Sequence, residues 1–146
     1  MVVGGAGEQR MVGEIRLEFL GPMRTEGVDP NNASLVVAAQ VFGREILLTG
    51  DAEPEEQADL LTSGRDLDTE VLKVPHHGSA NVDPAFLEAS HPAVAIVSAG
   101  ADNDYGHPAP HLLALLEDLG VPVYRTDRDG DIAVVDDDGL AVVTQR

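Results

Sequence analysis

The spacing of apolar and polar residues divides the first part of the chain into segments with the pattern of β-strands. In residues 14–22, apolar side chains alternate with charged ones, which is typical of a half-buried strand. Two apolar runs, 34–42 and 45–50, are separated only by Gly43 and Arg44. This spacing predicts a β-hairpin with a short loop.

Helical patterns separate the later strands. Residues 53–64 begin with a proline and acidic side chains and end at a glycine, as helices often do. Asp83 and Pro84 open a second predicted helix that ends at residue 90, and residues 107–120 have leucines at helical spacing. The remaining predicted strands are 70–74, 92–100, 122–127, 130–139 and 140–145.

The order of these elements predicts one α/β domain with hairpins at both ends. Segment 92–100 is apolar on both faces, which indicates a central strand covered on both sides. Residues 1–13 are rich in glycine and predict a flexible N-terminal segment. Residues 14–146 then form the single domain, which is long enough to bury a core.

Composition limits the chemistry more than the fold. The chain has no cysteine, which excludes disulfides, a thiol nucleophile and zinc sites with sulfur ligands. A net charge of −17 argues against an extended surface that binds nucleic acid. Any reaction on a phosphate would have to take place at a site where a bound cation reverses the local charge. No apolar run has the length of a membrane span, and the N-terminus lacks a signal-peptide pattern.

Polar residues follow three of the predicted strands directly. Asp51 follows the second hairpin strand, His76 and His77 follow the next strand, and segment 98–108 follows the apolar run 93–97. If these strands are adjacent and parallel, their carboxyl ends meet at one crevice. The side chains expected to share this crevice are Asp51, His76, His77, Asn103, Tyr105 and His107.

The residue types in this set are those of a metal site. Imidazole and carboxylate without sulfur suit Zn, Mn, Fe or Ni, and a carboxylate at a strand end can bridge two ions that activate water. Ser79 can orient an imidazole from behind. Lys73, the only lysine, and His107 can bind a negatively charged substrate oxygen.

Each of these residues also has a structural interpretation. Asp51 could begin the helix over 53–64, and His76 and His77 could be loop histidines bonded to backbone. The segment 103–108 is rich in turn formers and could be only a tight loop. Spacing alone leaves these alternatives open.

A set of ordered motifs carries a family resemblance. The motifs are "NNASLVV", "ILLTGDAEPEEQADLL", "LKVPHHGS", "VSAGADNDYGHP" and "VYRTDRDGDIAV". Together they resemble the C-terminal half of the metallo-β-lactamase-like domain at the C-terminus of ComEC-type DNA-uptake (competence) proteins. The resemblance implies half of an αββα sandwich, that is, a mixed sheet with helices packed on one face.

The resemblance also implies roles for individual residues. Asp51 matches a bridging ligand of a two-ion Zn or Mn site, and one histidine of the pair matches the last ligand, with His77 favoured over His76. The residues implied to act in catalysis are Lys73, His76 and His107. Those implied to contact substrate are Ser79, Asn103 and Tyr105.

One departure from the family is important. The main ligand motif, His-x-His-x-Asp-His, is absent from this chain. The chain would then supply about two of the five or six ligands that two metal ions need. We therefore expect a nuclease-like, metal-dependent phosphodiesterase half-domain that is inactive alone.

The resemblance further implies a location and partners. It places the chain in a soluble, extracytoplasmic domain of a bacterial inner-membrane protein, with DNA as substrate. The N-terminal half of the same domain and a membrane channel would be partners, and an uncovered apolar sheet face would favour a homodimer. The alternatives are a catalytically degenerate scaffold that binds a partner, and a hydrolase of the same fold that acts on another anionic substrate.

Overall fold

The computed structural model describes residues 5–136 and 138–146. The strands are β1 Gln9–Val12, β2 Ile15–Gly21, β3 Val36–Val41, β4 Arg44–Leu48, β5 Val71–Lys73, β6 Val94–Val97, β7 Val123–Arg125, β8 Ile132–Asp136 and β9 Leu140–Thr144. The helices are α1 Pro54–Thr62, α2 Pro84–Ser90, α3 Pro110–Asp118 and the short α4 Thr126–Asp129. Two 3-10 turns occupy Pro30–Ala33 and Pro75–Gly78.

The first seven strands form one mixed sheet in chain order, from β1 to β7. Strands β1 to β4 pair antiparallel, whereas β4 to β7 pair parallel. Parallel neighbours need crossover connections, and helices α1, α2 and α3 provide them. The expected α/β class with a mixed sheet is confirmed.

Helices α1 to α3 cover one face of this sheet and form the main core with it. The core side chains from the helices include Leu60, Phe86, Leu87, Leu112 and Leu116. They meet strand residues whose side chains point to the same face, such as Leu47, Leu72 and Ala95. Because the helices are amphipathic and the parallel strands are apolar, this packing buries both at once.

The other face of the sheet is covered at one end and open at the other. Val71 and Val94, paired in register, are each only 3% exposed. Asp136 of β8 accepts a hydrogen bond from Arg44 of β4, which ties the β8–β9 hairpin to this sheet. Leu48, which lies two positions beyond the β4 partner of Val71, is 43% exposed. The uncovered apolar face that the sequence predicts is therefore smaller than expected.

The structure differs from the sequence-based elements at both ends of the chain. Gln9–Val12 is a strand paired with β2, whereas the sequence predicts no element within residues 1–13, of which 1–4 lie outside the described residues. The predicted strand 122–127 ends at Arg125, and α4 begins at Thr126. The strand predicted over 130–139 ends at Asp136, and its residue 137 is not described.

Local sequence signals explain where the helices begin. Pro54, Pro84 and Pro110 each occupy the first helical turn, where a missing N–H costs nothing. Asp83 caps α2 by accepting a hydrogen bond from the backbone N–H of Ala85. Within the described residues, no helix is both long and apolar enough to cross a membrane.

Candidate functional site

The residues of interest lie where three adjacent parallel strands end. Strands β4, β5 and β6 are neighbours and run in the same direction, so their carboxyl ends meet at one edge of the sheet. Asp51 follows β4, the turn with both histidines follows β5, and the loop of residues 98–109 follows β6. The predicted adjacency of these strands is confirmed, and it brings the polar residues together.

Asp51 and His77 face each other across this edge. Nε2 of His77 lies 3.6 Å from Oδ1 of Asp51, and Nδ1 of His77 lies 2.8 Å from the carbonyl oxygen of Ser98. Since a carbonyl only accepts, the contact with Ser98 places a proton on Nδ1 and leaves Nε2 as the ring nitrogen that faces the carboxylate. A cation between Nε2 and the carboxylate oxygen would be within reach of both atoms.

The structural alternative for Asp51 is wrong. The residue at the start of α1 is Glu53, whose side chain makes no capping bond. The buried amide of Asn32 caps the helix instead: its Oδ1 accepts hydrogen bonds from the backbone N–H groups of Glu53 and Glu56. The carboxylate of Asp51 is therefore not used as a helix cap.

An unusual backbone holds the histidine pair in place. His76 and His77 have φ values of 46° and 55°, and Gly78 follows with φ of 84°. Left-handed conformations cost roughly 1–2 kcal/mol for residues with a Cβ, although histidine is among those that adopt them more often. The N–H of His76 donates to the carbonyl of Gly50, which ties this turn to the residue before Asp51. Such strain at a cluster of polar residues is a feature of functional sites.

The His76 ring faces Glu53. Its Nδ1 lies 3.0 Å from Oε1 of Glu53, an ion-pair distance without the direction of a hydrogen bond. Asn31 donates to the same carboxylate oxygen at 3.1 Å. On its other side, the His76 ring meets His107 edge-on, with centroids 5.7 Å apart. Glu53 is thus part of the cluster, and the sequence pattern gives no signal for it beyond its position two residues after Asp51.

His107 and Tyr105 form the outer wall of the cluster. Their rings are stacked, with centroids 6.0 Å apart and planes 20° from parallel. Burial, followed by the charges of His76 and His77, lowers the pKa of His107 below the usual histidine value. His107 is therefore biased towards its neutral form at the pH where an exposed histidine would titrate.

Asn103 shapes the loop that carries this pair. Its Nδ2 donates to the carbonyl oxygens of Gly100 and His107, at 2.7 and 2.8 Å, and its Oδ1 accepts from the His107 N–H. These bonds occupy the amide with the loop's own backbone, as the turn interpretation predicts. Asn103 also lines a small pocket beside His77, so its predicted contact with substrate stays a prediction.

Lys73 lies on the sheet at the open end of the second face. It stands in register between Leu48 and Ile96, and its Nζ donates to the carbonyl of Gly50 at 3.1 Å. Burial lowers the pKa of the Lys73 amine, while the nearby charge of Asp51 opposes that shift. The ammonium group is thus half-buried beside the Asp51–His77 pair, where an anionic group would gain from it.

Ser79 makes a local hydrogen bond, and its predicted contact with substrate stays a prediction. Its hydroxyl accepts a hydrogen bond from the Asn81 N–H, which is a local turn contact. The group that orients the His77 ring is the carbonyl oxygen of Ser98. A backbone carbonyl leaves no mark in a sequence, so this partner could be found only in three dimensions.

The pair Asp51–His77 fits two ligands of one metal ion. Donor atoms about 2.0–2.2 Å from zinc at a tetrahedral angle lie roughly 3.4 Å apart, close to the 3.6 Å observed. The Ser98 carbonyl on the other ring nitrogen matches the way metal-binding histidines are held. No group of three or more such ligands is assembled among residues 5–136 and 138–146, so within these residues Asp51 and His77 stand without a third ligand of these types.

Comparison with known proteins gives two similar proteins, both from bacteria. The chain is 34% identical over 127 residues to ComE operon protein 3 of Bacillus subtilis (strain 168), which covers 86% of the chain and 16% of that protein. It is 32% identical over 118 residues to Competence protein ComA of Neisseria gonorrhoeae, covering 80% of the chain and 17% of that protein. No protein-family model matches the chain.

These similarities support the competence part of the resemblance. The chain spans about one sixth of the length of the curated relatives it matches. The metallo-β-lactamase part of the resemblance stays a prediction. The chain is therefore similar to one segment of two competence proteins.

Proposed function

We propose that this chain acts in DNA uptake as the C-terminal part of a metal-dependent, nuclease-like phosphodiesterase domain. The observation that carries the proposal is the Asp51–His77 pair, with its 3.6 Å separation and its Ser98 carbonyl, at the carboxyl edge of three parallel strands. The similarity to two competence proteins supplies the biological setting.

In this proposal Asp51 and His77 hold a divalent ion, Zn or Mn. Asp51 is the ligand suited to bridging a second ion in the complete domain. The bound metal would supply activated water and neutralise charge on a phosphate. His77 suits the ligand role better than His76, because Nδ1 of His76 faces Glu53 rather than Asp51.

The other polar residues serve the substrate. The half-buried ammonium of Lys73 would attract a phosphate oxygen that approaches the pair, and the imidazole of His107, biased towards its neutral form, would donate a hydrogen bond to it. Electrostatics at this edge matters because the chain as a whole carries a charge of −17 and repels DNA. Ser79 remains a proposed substrate contact, although its hydroxyl is engaged with Asn81.

We also propose that the remaining metal ligands and the partners come from outside these residues. The N-terminal half of the same domain would supply the ligands, and a membrane channel of a bacterial inner-membrane protein would present DNA on the extracytoplasmic side. The exposed Leu48 end of the second sheet face would contact that half, or a second copy of the chain in its absence. Sedimentation of the isolated chain over a range of concentrations tests the second arrangement, which a purely monomeric profile would contradict.

The metal site is tested by titrating the chain with Mn²⁺ and Zn²⁺ in a calorimeter. Asp51→Ala and His77→Ala should each weaken binding by about 10-fold or more, since each removes one of two ligands. The matched controls are His91→Ala and Asp118→Ala, which remove exposed groups of the same types elsewhere. Equal metal affinity in Asp51→Ala and Asp118→Ala would refute the proposed site.

The phosphodiesterase activity is tested in a polypeptide that also contains the corresponding upstream part of the domain. Metal-dependent cleavage of DNA should be lost in Asp51→Ala and retained in Asp118→Ala. A protein that binds metal but cleaves another phosphodiester would favour the alternative hydrolase. The absence of bound metal in that longer protein would favour a degenerate scaffold, which the lack of a third ligand within the described residues also allows.

A further inference from the structure

Tyr105 is the most exposed aromatic side chain near the candidate site. The residue is 84% exposed in a chain in which only 3% of residues are aromatic. It is not a freely projecting side chain, because it stacks on His107 at a centroid distance of 6.0 Å. That distance is within the range of favourable aromatic pairs, so His107 holds the Tyr105 ring while leaving one face to solvent.

A small pocket lies between this stacked pair and the metal-site histidine. It has a volume of about 200 Å³ and is lined by His77, Ala99, Gly100, Asn103, Tyr105 and His107. Sites for drug-sized ligands are usually about 300–1,000 Å³, so this pocket suits one flat ring rather than a whole nucleotide. A Cβ added at Gly100 would meet no atom within 4 Å, so the pocket is open on the Gly100 side.

The pocket offers few free hydrogen-bonding groups. The side-chain amide of Asn103 is already bonded to Gly100 and His107. The Nδ1 of His77 is bonded to Ser98. An occupant would therefore be held by ring stacking and apolar contact, and its hydrogen-bonding pattern would matter little.

We propose that the Tyr105–His107 pair is a stacking platform for one unpaired nucleobase, whose neighbouring phosphate reaches the Asp51–His77 pair. The inference rests on the function proposed above and names the form of its substrate, which is single-stranded nucleic acid. A base in a duplex is stacked on both faces by its neighbours and must leave the helix before it can meet Tyr105. Stacking on an aromatic ring is tolerant of base identity, so the platform selects single strands without selecting sequence.

The platform is tested by comparing ligands that differ only in having bases. The 146-residue chain is mixed with fluorescent oligo(dT) and with an abasic oligonucleotide of the same length, without metal and at about 0.15 M salt to screen the acidic surface. The base-containing strand should bind about 5- to 100-fold more tightly. In a parallel NMR titration, thymidine 5′-monophosphate should shift the Tyr105 and Ala99 resonances, and 2-deoxyribose 5-phosphate should not.

Variants separate stacking from other effects of the loop. Tyr105→Phe keeps the ring and should keep the preference for bases, whereas Tyr105→Leu should abolish it. The matched control is Phe42→Ala, which removes an aromatic side chain that is 78% exposed in the turn between β3 and β4. That variant should bind oligo(dT) as the parent chain does.

The outcomes distinguish this inference from the proposed function. Equal affinity for oligo(dT) and the abasic strand, equal affinity for duplex, or no binding of either strand would overturn the platform. Loss of the base preference in Phe42→Ala would also overturn it. The two proposals can fail separately. If the parent chain binds no metal but Asp51→Ala still prefers the base-containing strand, the metal-dependent function is refuted and the platform is supported.

Discussion

Replacing Gly78, a buried glycine in the turn that carries the histidine pair, by alanine should destabilise the protein more than the same change at Gly106. Gly78 follows the histidine pair with φ of 84°, a conformation that costs a residue with a Cβ roughly 1–2 kcal/mol. An added Cβ would also lie 2.6 Å from Cβ and 3.0 Å from Cα of Pro108. Pro108 is buried and cannot move aside by rotating a flexible side chain.

The two effects can be added to give an expected magnitude. Overpacking of a well-filled site costs about 1–3 kcal/mol, so the total for Gly78→Ala is roughly 2–5 kcal/mol. That is a large part of the 5–15 kcal/mol by which folded domains are typically stable. Because the turn also positions His77, the surviving folded protein should bind metal more weakly.

Equilibrium urea unfolding followed by circular dichroism measures this loss, and Gly106→Ala is the matched control. Gly106 has φ of 72°, but an added Cβ there would meet no atom within 4 Å. Gly106→Ala should therefore show only the backbone cost of about 1–2 kcal/mol. If the two variants lose the same stability within about 0.5 kcal/mol, the close approach to Pro108 has no energetic weight and the reasoning is wrong.

Three further predictions concern buried polar groups. Asn32→Ala should lower the unfolding free energy by about 2–4 kcal/mol in urea titrations, because two N–H groups of α1 lose their acceptor. Burial raises the pKa of Glu56, although the Met23 N–H opposes it. Stability should therefore fall as pH rises from about 4.5 through the raised pKa, and Glu56→Gln should flatten that dependence. Burial lowers the pKa of Lys73, so stability should rise with pH from that lowered value towards 10.5, a rise that Lys73→Met should abolish.

Most of the secondary structure was accessible from the sequence because it depends on local patterns. The hairpin β3–β4 and helices α1, α2 and α3 follow from alternation, proline at the first helical turn and leucine spacing. The strand β1 could not be found in this way. Its residues are mostly exposed and carry little apolar pattern, and its strand structure depends on pairing with β2.

The candidate site was only partly accessible. Asp51 and His77 stand out because chemically active residue types follow apolar strands. Whether they meet depends on strand order, which places β4 beside β5 and β5 beside β6. Capping by Asn32, at a separation of 21 residues from Glu53, removed the structural alternative for Asp51, and no local pattern could reveal that.

The sequence by itself determined most of the elements, the absence of thiol chemistry and the identity of the residues that end each parallel strand. These properties depend on residue type and on spacing over a few positions. Tertiary structure alone decided that the Ser98 carbonyl orients His77, that His76 turns to Glu53, and that Tyr105 stacks on His107. The first two contacts join separate segments of the chain, and the third sets two rings of one loop against each other; all three depend on backbone direction and ring orientation. Neither the backbone direction nor the ring orientation can be read from the order of residues, because sheet pairing and packing fix both only when the whole domain folds.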